Sequence, residues 1–389
     1  MKQVVRRNRA EANNVQTEEN IYTILVDGNS LLKMSLVDKR MNDKGQEYGA
    51  VFLFLRMLGQ ILQKKDFNHC ICVWDGYNSG SLRWNYYNDY KANRDKHYEL
   101  TGGMSDYDKA INDYVKKILK YSKSKKVDVK REETDDETFQ RQRELVYNIL
   151  ENLYVRQFIY NDVEGDDLIA YYVQHKKQNE KIVIVSGDRD LTQLINDDVC
   201  QYIPSLRKFI SPKNSIEELG ITHENTLVKK ILCGDASDNI KGIKGLGEQT
   251  LLKLFPEIKD KKTSLEAIVE RSKVLLEERK ADKKKPLKSL ENIVNRVTDG
   301  IQGKDIFEIN KKIIDLSEPL LTDEALDGLK EEMYAPLSDD DRDIKNIYEI
   351  ISDNGMDSIL DEKAFGNLFG MYEHVIAKEK EYTKKMFEK

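Results

Sequence analysis

Two apolar rhythms alternate along the first half of the chain. Short continuous runs rich in β-branched residues, within IYTILVDGNS, HCICVWDG, YVRQFI and KIVIVSGDRD, are bounded by turn residues and read as strands buried on both faces. Between them, EYGAVFLFLRMLGQILQKK repeats its apolar positions at helical spacing, and VEGDD leads into LIAYYV, which reads as the start of a buried helix. Strands alternating with helices predict an α/β fold with a mostly parallel sheet flanked by helices. In such sheets, ligand sites gather beyond the carboxyl ends of the strands.

The pattern is lost in three places. Residues 1–20 mix Arg, Asn, Gln and Glu without periodicity and read as a flexible basic arm. From about 81 to 145, basic and aromatic residues interleave and charge then dominates, which predicts a long, partly helical insertion into the α/β domain of residues 21–210. From 211 to 389 the chain is helical and highly charged, with a lysine-rich run at 278–288 and an acidic one at 337–343, both read as solvated helix ends and linkers.

Acidic residues cluster where the predicted strands end. VEGDD sets Glu164, Asp166 and Asp167 within four positions at a helix start, while Asp27, Asp75, Asp188 and Asp190 follow the other strands. A single capping carboxylate satisfies a helix N-terminus; three repel one another, and crowding them in a poorly hydrated place is costly without a cation. Capping and metal binding stay open for each acid alone. Their recurrence on one edge of the sheet favours metal binding. Asp235 and Asp238 join the set, on one face if their turn is helical.

Composition narrows the chemistry. The 389 residues are 39% hydrophobic and 34% charged, enough for two domains with a sizeable core. With no membrane-length apolar run and no secretory leader, the expectation is a cytoplasmic protein. Four cysteines without a C-x-x-C pair and five histidines argue against structural zinc, so oxygen ligands and Mg2+ or Mn2+ are expected. The net charge of −6 speaks against a polyanion partner only until the nine clustered acids are set aside, which leaves a mildly basic remainder.

Two further patterns point to nucleic acid. GIKGLGEQTLL, with Gly242, Lys244, Gly245 and Gly247, is either a plain interhelical turn or one that offers backbone N–H groups to phosphates. In the insertion, Arg83, Trp84, Tyr86, Tyr87, Tyr90, Lys91, Arg94 and Lys96 combine cations with rings that can stack on unpaired bases.

VDGNSLL, VWDGYNSGSLRWNYYNDYKANRD, VEGDDLIAYYV, IVSGDRDLTQLI and GDASDNIKGIKGLGEQTLLKLF together resemble the phage and bacterial 5'-to-3' exonucleases and flap endonucleases, the ribonuclease H group of T-even phages above all. The resemblance implies a PIN-like or resolvase-like nuclease domain, a helical arch, and a helical C-terminal domain with a helix-three-turn-helix at about 235–255. It assigns Asp27, Asp75, Glu164, Asp166, Asp167, Asp188, Asp190, Asp235 and Asp238 to a site for two or more Mg2+ ions. It places Tyr90, Lys91 and Arg94 in the arch near the scissile phosphate, Lys91 and Arg94 as catalytic cations. A K+ ion often sits at the family's helix-three-turn-helix, which grips duplex DNA. The arm of residues 1–20 has no clear counterpart, the 97–145 stretch is long, and the C-terminal part exceeds that of compact members.

The activity so implied is metal-dependent hydrolysis near the 5' end of RNA or DNA annealed to DNA, as in RNA primer removal during phage replication. The expected partners are DNA and RNA–DNA hybrids with a free 5' end, with a single-strand-binding protein or sliding clamp on the C-terminal region, and the protein is expected to be a monomer. The competing readings are a non-catalytic structure-specific DNA-binding protein and a single-strand-specific ribonuclease.

Overall fold

The computed structural model describes residues 20–92, 134–299, 301, 305–339 and 342–388. Its centre is a six-stranded sheet in the order β3-β2-β1-β4-β5-β6. The strands are β1 (Ile21–Asp27), β2 (His69–Trp74), β3 (Arg156–Ile159), β4 (Glu180–Val185), β5 (Val199–Ile203) and β6 (Lys208–Ile210). The first five pair in parallel and only β6 runs antiparallel, against β5. Of the apolar runs read as doubly buried strands, β1 and β2 are so, with every residue of β2 and the central four of β1 buried, whereas β4 is half-buried at Lys181 and Val183 and β3, at the sheet edge, leaves Ile159 exposed.

Helices cover both faces. On one, α1 (Gly28–Ser35), α2 (Gly49–Leu62) and α4 (Asp135–Asn152) enclose a core around Phe54, Trp74 and Ile149. On the other, α5 (Gly165–Gln174) packs Leu168, Ile169 and Tyr172 against Leu25, Ile71 and Ile184. The short α3 (Ser81–Trp84) opens the insertion. Its far boundary lies earlier than the sequence pattern indicates: α4 begins at Asp135, with a capping box between Thr134 and Glu137, and already buries Thr138, Gln142 and Leu145. Charge on the outer face of α4 masks its apolar stripe.

The C-terminal half contributes to three cores. After α6 (Ser215–Leu219), α7 (Thr226–Cys233), the β7–β8 hairpin (Gly234–Asp235 and Ile240–Lys241) and α8 (Glu248–Leu254) join α9 (Leu265–Ala281), α10 (Lys288–Asn295) and α11 (Ile306–Ile314) around a separate core of Ile231, Leu251, Phe255 and Leu290. The rest returns to the sheet. Helix α12 (Asp323–Glu332) packs Ala325 and Leu329 on the α5 face, and α13 (Ile344–Asp353), α14 (Glu362–Phe369) and α15 (Glu373–Phe387) pack on the α2 face. Buried Glu379 of α15 pairs with His69 Nδ1 at 2.6 Å and Arg156 at 3.2 Å, fastening the last helix to β2 and β3. A boundary near 210 therefore does not separate one core from another, since helices beyond it pack on both faces of the sheet.

Candidate metal centre and nucleic-acid interface

The carboxyl ends of β1 to β4 lie side by side, so the acids that follow them meet along one edge. Asp27 ends β1 and caps α1, accepting from the Ser30 N–H at 2.8 Å and from the Ser186 hydroxyl, beyond β4, at 2.7 Å. Asp75 follows β2 and accepts from the Gly165 N–H at 2.8 Å and from the Asn29 side-chain amide. Asp188 caps the 3-10 helix Arg189–Leu194 through the Asp190 N–H at 2.8 Å. Capping and the grouping of charge are thus the same fact: the strand-to-helix turns that need a cap all open on this edge.

Their electrostatics show too much negative charge for the cations at hand. Burial, then repulsion from Asp188, Asp27, Asp75 and Glu164, raises the Asp166 carboxyl well above the usual range. Burial also pushes Asp27 up to about 6 against its hydrogen bonds to Ser30 and Ser186, with Asp75 and Asp188 adding to the rise. Asp190 rises to about 7, through burial and then Asp188. Asp75 is lowered: burial opposes its charge, but Lys91, the Gly165 N–H, Lys33 and Asn29 outweigh it.

Lysines hold part of the set. Lys91 Nζ lies 2.5 Å from Glu164 Oε1, and Tyr90 donates its hydroxyl to Glu164 Oε2 at 3.0 Å. Lys230, on α7, bridges Asp190 and Asp235, the latter at 2.5 Å. Burial resists the Asp235 charge, yet Lys230 and Ser237 bring its carboxyl down to about 2. Among the described residues no three acidic, imidazole or thiol groups converge closely enough to grip one metal ion between them. The edge gathers charge rather than a closed cage.

Several expected roles change. Asp167 points away from the edge into the protein, 1% exposed, and takes Arg83 through both oxygens at 2.6 and 3.1 Å and the Leu320 N–H at 3.0 Å. Arg83, expected on nucleic acid, is its buried counter-ion, also 3.2 Å from Glu164 and donating to the Ile313 carbonyl at 2.9 Å. Tyr87 and Tyr90 are buried in the C-terminal core, leaving Trp84 and Tyr86 exposed, along with Tyr77, which the sequence reading overlooked. The 235–238 segment is a hairpin turn, not a helical one; Asp235 sits in the two-residue strand β7, and Asp238 gives its carbonyl to the Lys91 N–H at 2.9 Å. Arg94 and Lys96 fall outside the described residues.

Lys230 was also missed, although its place near the end of an amphipathic helix five residues before Asp235 could have marked it. At the glycine turn, Gly242 is wedged against the backbone of Cys233 and Gly234, Gly245 has φ +79°, and Gly247 borders open space. Lys244 is exposed and pairs with Asp299. No described helix is long and apolar enough to cross a membrane.

Residues 22–220 match the model of the 5'-3' exonuclease N-terminal resolvase-like domain. DNA polymerase I of Bacillus subtilis is 25% identical over 346 residues, 85% of this chain and 35% of the polymerase. Thermostable DNA polymerase I of Thermus thermophilus is 34% identical over 122 residues, 31% of this chain and 14% of that protein. The chain therefore spans about a third or less of these relatives' length. Among solved structures, zinc-bound bacteriophage T5 5'-exonuclease superposes with a TM-score of 0.53 at 15% identity, over 91% of this chain and 99% of that one. The T5 flap endonuclease in a pseudo-enzyme–product complex with DNA and metal ions gives 0.52 at 16% identity, over 92% and 99%. These structures share the fold, and with more than half of the sequence matched by the domain model, the chain belongs to the 5'-3' exonuclease family.

Proposed function

We propose that the protein is a divalent-metal-dependent 5'-nuclease that hydrolyses phosphodiester bonds near the 5' end of RNA or DNA annealed to DNA, with removal of RNA primers in phage replication as its task. The observation that carries this reading is the row of half-buried carboxyls at the strand ends, with Asp27, Asp166 and Asp190 all pushed up by desolvation and then by the neighbouring acids. A protein that only bound polyanions would gain nothing from negative charge there. The T5 structures with metal ions and DNA support it.

An all-oxygen set fits Mg2+, with Mn2+ as substitute, and spacing too wide for a closed cage suits ions that keep much of their hydration. Asp27, Asp75, Asp166 and Asp188 would hold such ions, with Glu164, Asp190, Asp235 and Asp238 around them. Bound there, the ions would supply a hydroxide nucleophile near neutral pH and stabilise the leaving 3' oxygen. The chain's own residues orient and neutralise. Lys91, held beside Glu164, offers a fixed positive charge to the scissile phosphate, and Arg94 is proposed to do the same. Gly242, Lys244, Gly245 and Gly247 would receive the duplex, with K+ at their backbone carbonyls. The C-terminal helices would meet a single-strand-binding protein or clamp.

The test is incubation of the purified protein with Mg2+ and a 5'-labelled RNA–DNA hybrid. Release of short labelled products is expected, and an intact hybrid would sink the reading. Replacing both Asp188 and Asp190 by Asn should abolish cleavage and largely preserve binding.

A further inference from the structure

Helices α9 and α10 form a hairpin whose loop and flanks, residues 278–288, carry six cations against two acids in a chain of net charge −6. Part of that charge is neutralised: Lys284 pairs with Asp282 at 2.9 Å, and Lys288 reaches Glu291 at 3.9 Å. Among the described residues no ion pair holds Lys280, Lys283 or Lys285. All three are exposed and, with Lys284 and Pro286, line a groove of about 460 Å³ that Glu277 and Glu291 also border.

The loop is an ordered display of charge. Arg279 Nε donates to the Lys285 carbonyl at 3.0 Å, the Lys284 N–H donates to the Arg279 carbonyl at 2.8 Å, and Lys283 turns the chain at φ 54°. Fixing the backbone in advance lowers the ordering cost of binding. The hairpin also adjoins the glycine turn. Ser289 Cβ lies 4.0 Å from where a side chain on Gly245 would begin, Asn292 donates to the Lys244 carbonyl at 3.5 Å, and Leu290 and Ile293 share a core with Ile243 and Leu246. Exposed Lys244, with Asp299 as its neighbour, therefore adjoins the N-terminal end of α10, which the loop leads into.

We infer that the lysine hairpin is a second contact for duplex DNA: an arm received at the 242–247 turn continues over it, and Lys280, Lys283 and Lys285 meet phosphates further along that arm. This rests on the nuclease reading above. The composition of the loop selects duplex over single strand, because residues 278–288 include no aromatic ring on which an unpaired base could stack. Lysine point charges on a defined loop suit a sequence-independent phosphate contact.

The experiment is an anisotropy titration of the full chain, without divalent ions, against duplexes of increasing arm length at several salt concentrations. It compares the wild type with a variant carrying Lys280→Ser, Lys283→Ser and Lys285→Ser. Wild-type affinity should climb with arm length, and the variant should lose that climb. For the longest arm the expected loss is roughly tenfold or more near 0.1 M salt, with a salt slope shallower by about two to three. Arginine at the same three positions should restore both. Cleavage of a short-armed substrate by the serine variant should match wild type, which judges the nuclease reading separately. The inference is overturned if the variant binds long arms with wild-type affinity and slope, as it would were the lysines a seat for an acidic protein. It is equally overturned if affinity falls alike for short and long arms.

Discussion

The first turn of α5 carries two adjacent carboxylates in opposite surroundings. Asp166 stands among acids and is raised by burial and by Asp188, whereas Asp167 is locked to Arg83 inside the protein. Neighbours on a helix differ by about 100° in direction, so one faces the strand ends and the other the interior. Sequence pattern recognised the cluster but could not divide it, because both residues are the same letter beside the same apolar run. Their amide variants should therefore diverge. Asp166→Asn should abolish Mg2+-dependent cleavage while raising the thermal midpoint measured in chelator, since it removes repulsion. Asp167→Asn should cost about 3 kcal/mol in a denaturant titration, because it leaves Arg83 buried without its full partner. Equal midpoints for the two would contradict this division. Lys230 allows a third comparison. It neutralises Asp190 and Asp235 together, so Lys230→Met should lower the midpoint in chelator and enlarge the stabilisation gained on adding Mn2+. A smaller gain than wild type would count against its role as a counter-ion.

At the scale of elements, the strands and their order of chemistry were legible because a doubly buried strand has little choice of residues. The insertion's far boundary was not, since α4 presents acids and arginines outward and hides Leu145, Val146 and Ile149 beneath them. The 235–238 turn was misread for another reason: three-residue spacing fits a helical turn and a tight hairpin equally, and Gly234 at φ +72° decides for the hairpin. The glycine turn, one motif in sequence, separates into three physical demands. A Cβ on Gly242 would lie 2.1 Å from the Cys233 carbonyl carbon, while nothing stands within 4 Å of one on Gly247. Gly242→Ala should thus lose about 3 kcal/mol, read by chemical denaturation, as backbone overpacking does. Gly247→Ala should stay within about 1 kcal/mol of wild type, the ordinary cost of alanine at a helix start. Its duplex affinity should nevertheless fall, because the methyl group fills the space a phosphate would use. Unchanged affinity for Gly247→Ala would mean the turn serves packing alone.

Across the whole molecule, fold and charge act on each other. The parallel sheet puts every strand-to-helix turn of the first four strands at one edge, so the topology that buries the apolar runs also forces the acids together. That much followed from alternation of strands and helices; the return of α12 to α15 onto the sheet did not, because their amphipathic faces do not name the surface they cover. The crowding has a consequence for stability. Asp27 at about 6 and Asp190 at about 7 lie above the ordinary 3.8 of an unfolded aspartate, so between about pH 4 and 7 the folded chain holds more protons than the unfolded one. Stability contributed by these groups is then highest at the acid end and declines as pH rises through the window. Asp235, lowered to about 2 against its own burial by Lys230 and Ser237, acts in the opposite sense but only below that range. A divalent ion competes with those protons and replaces them at higher pH. Thermal melts in chelator and in Mg2+ should differ little near pH 5 and clearly near pH 7.5, with Mg2+ raising the midpoint at the higher value. Mg2+ shifts of equal size at both pH values would place the ion away from these carboxylates, and with it the chemistry proposed for this edge of the sheet.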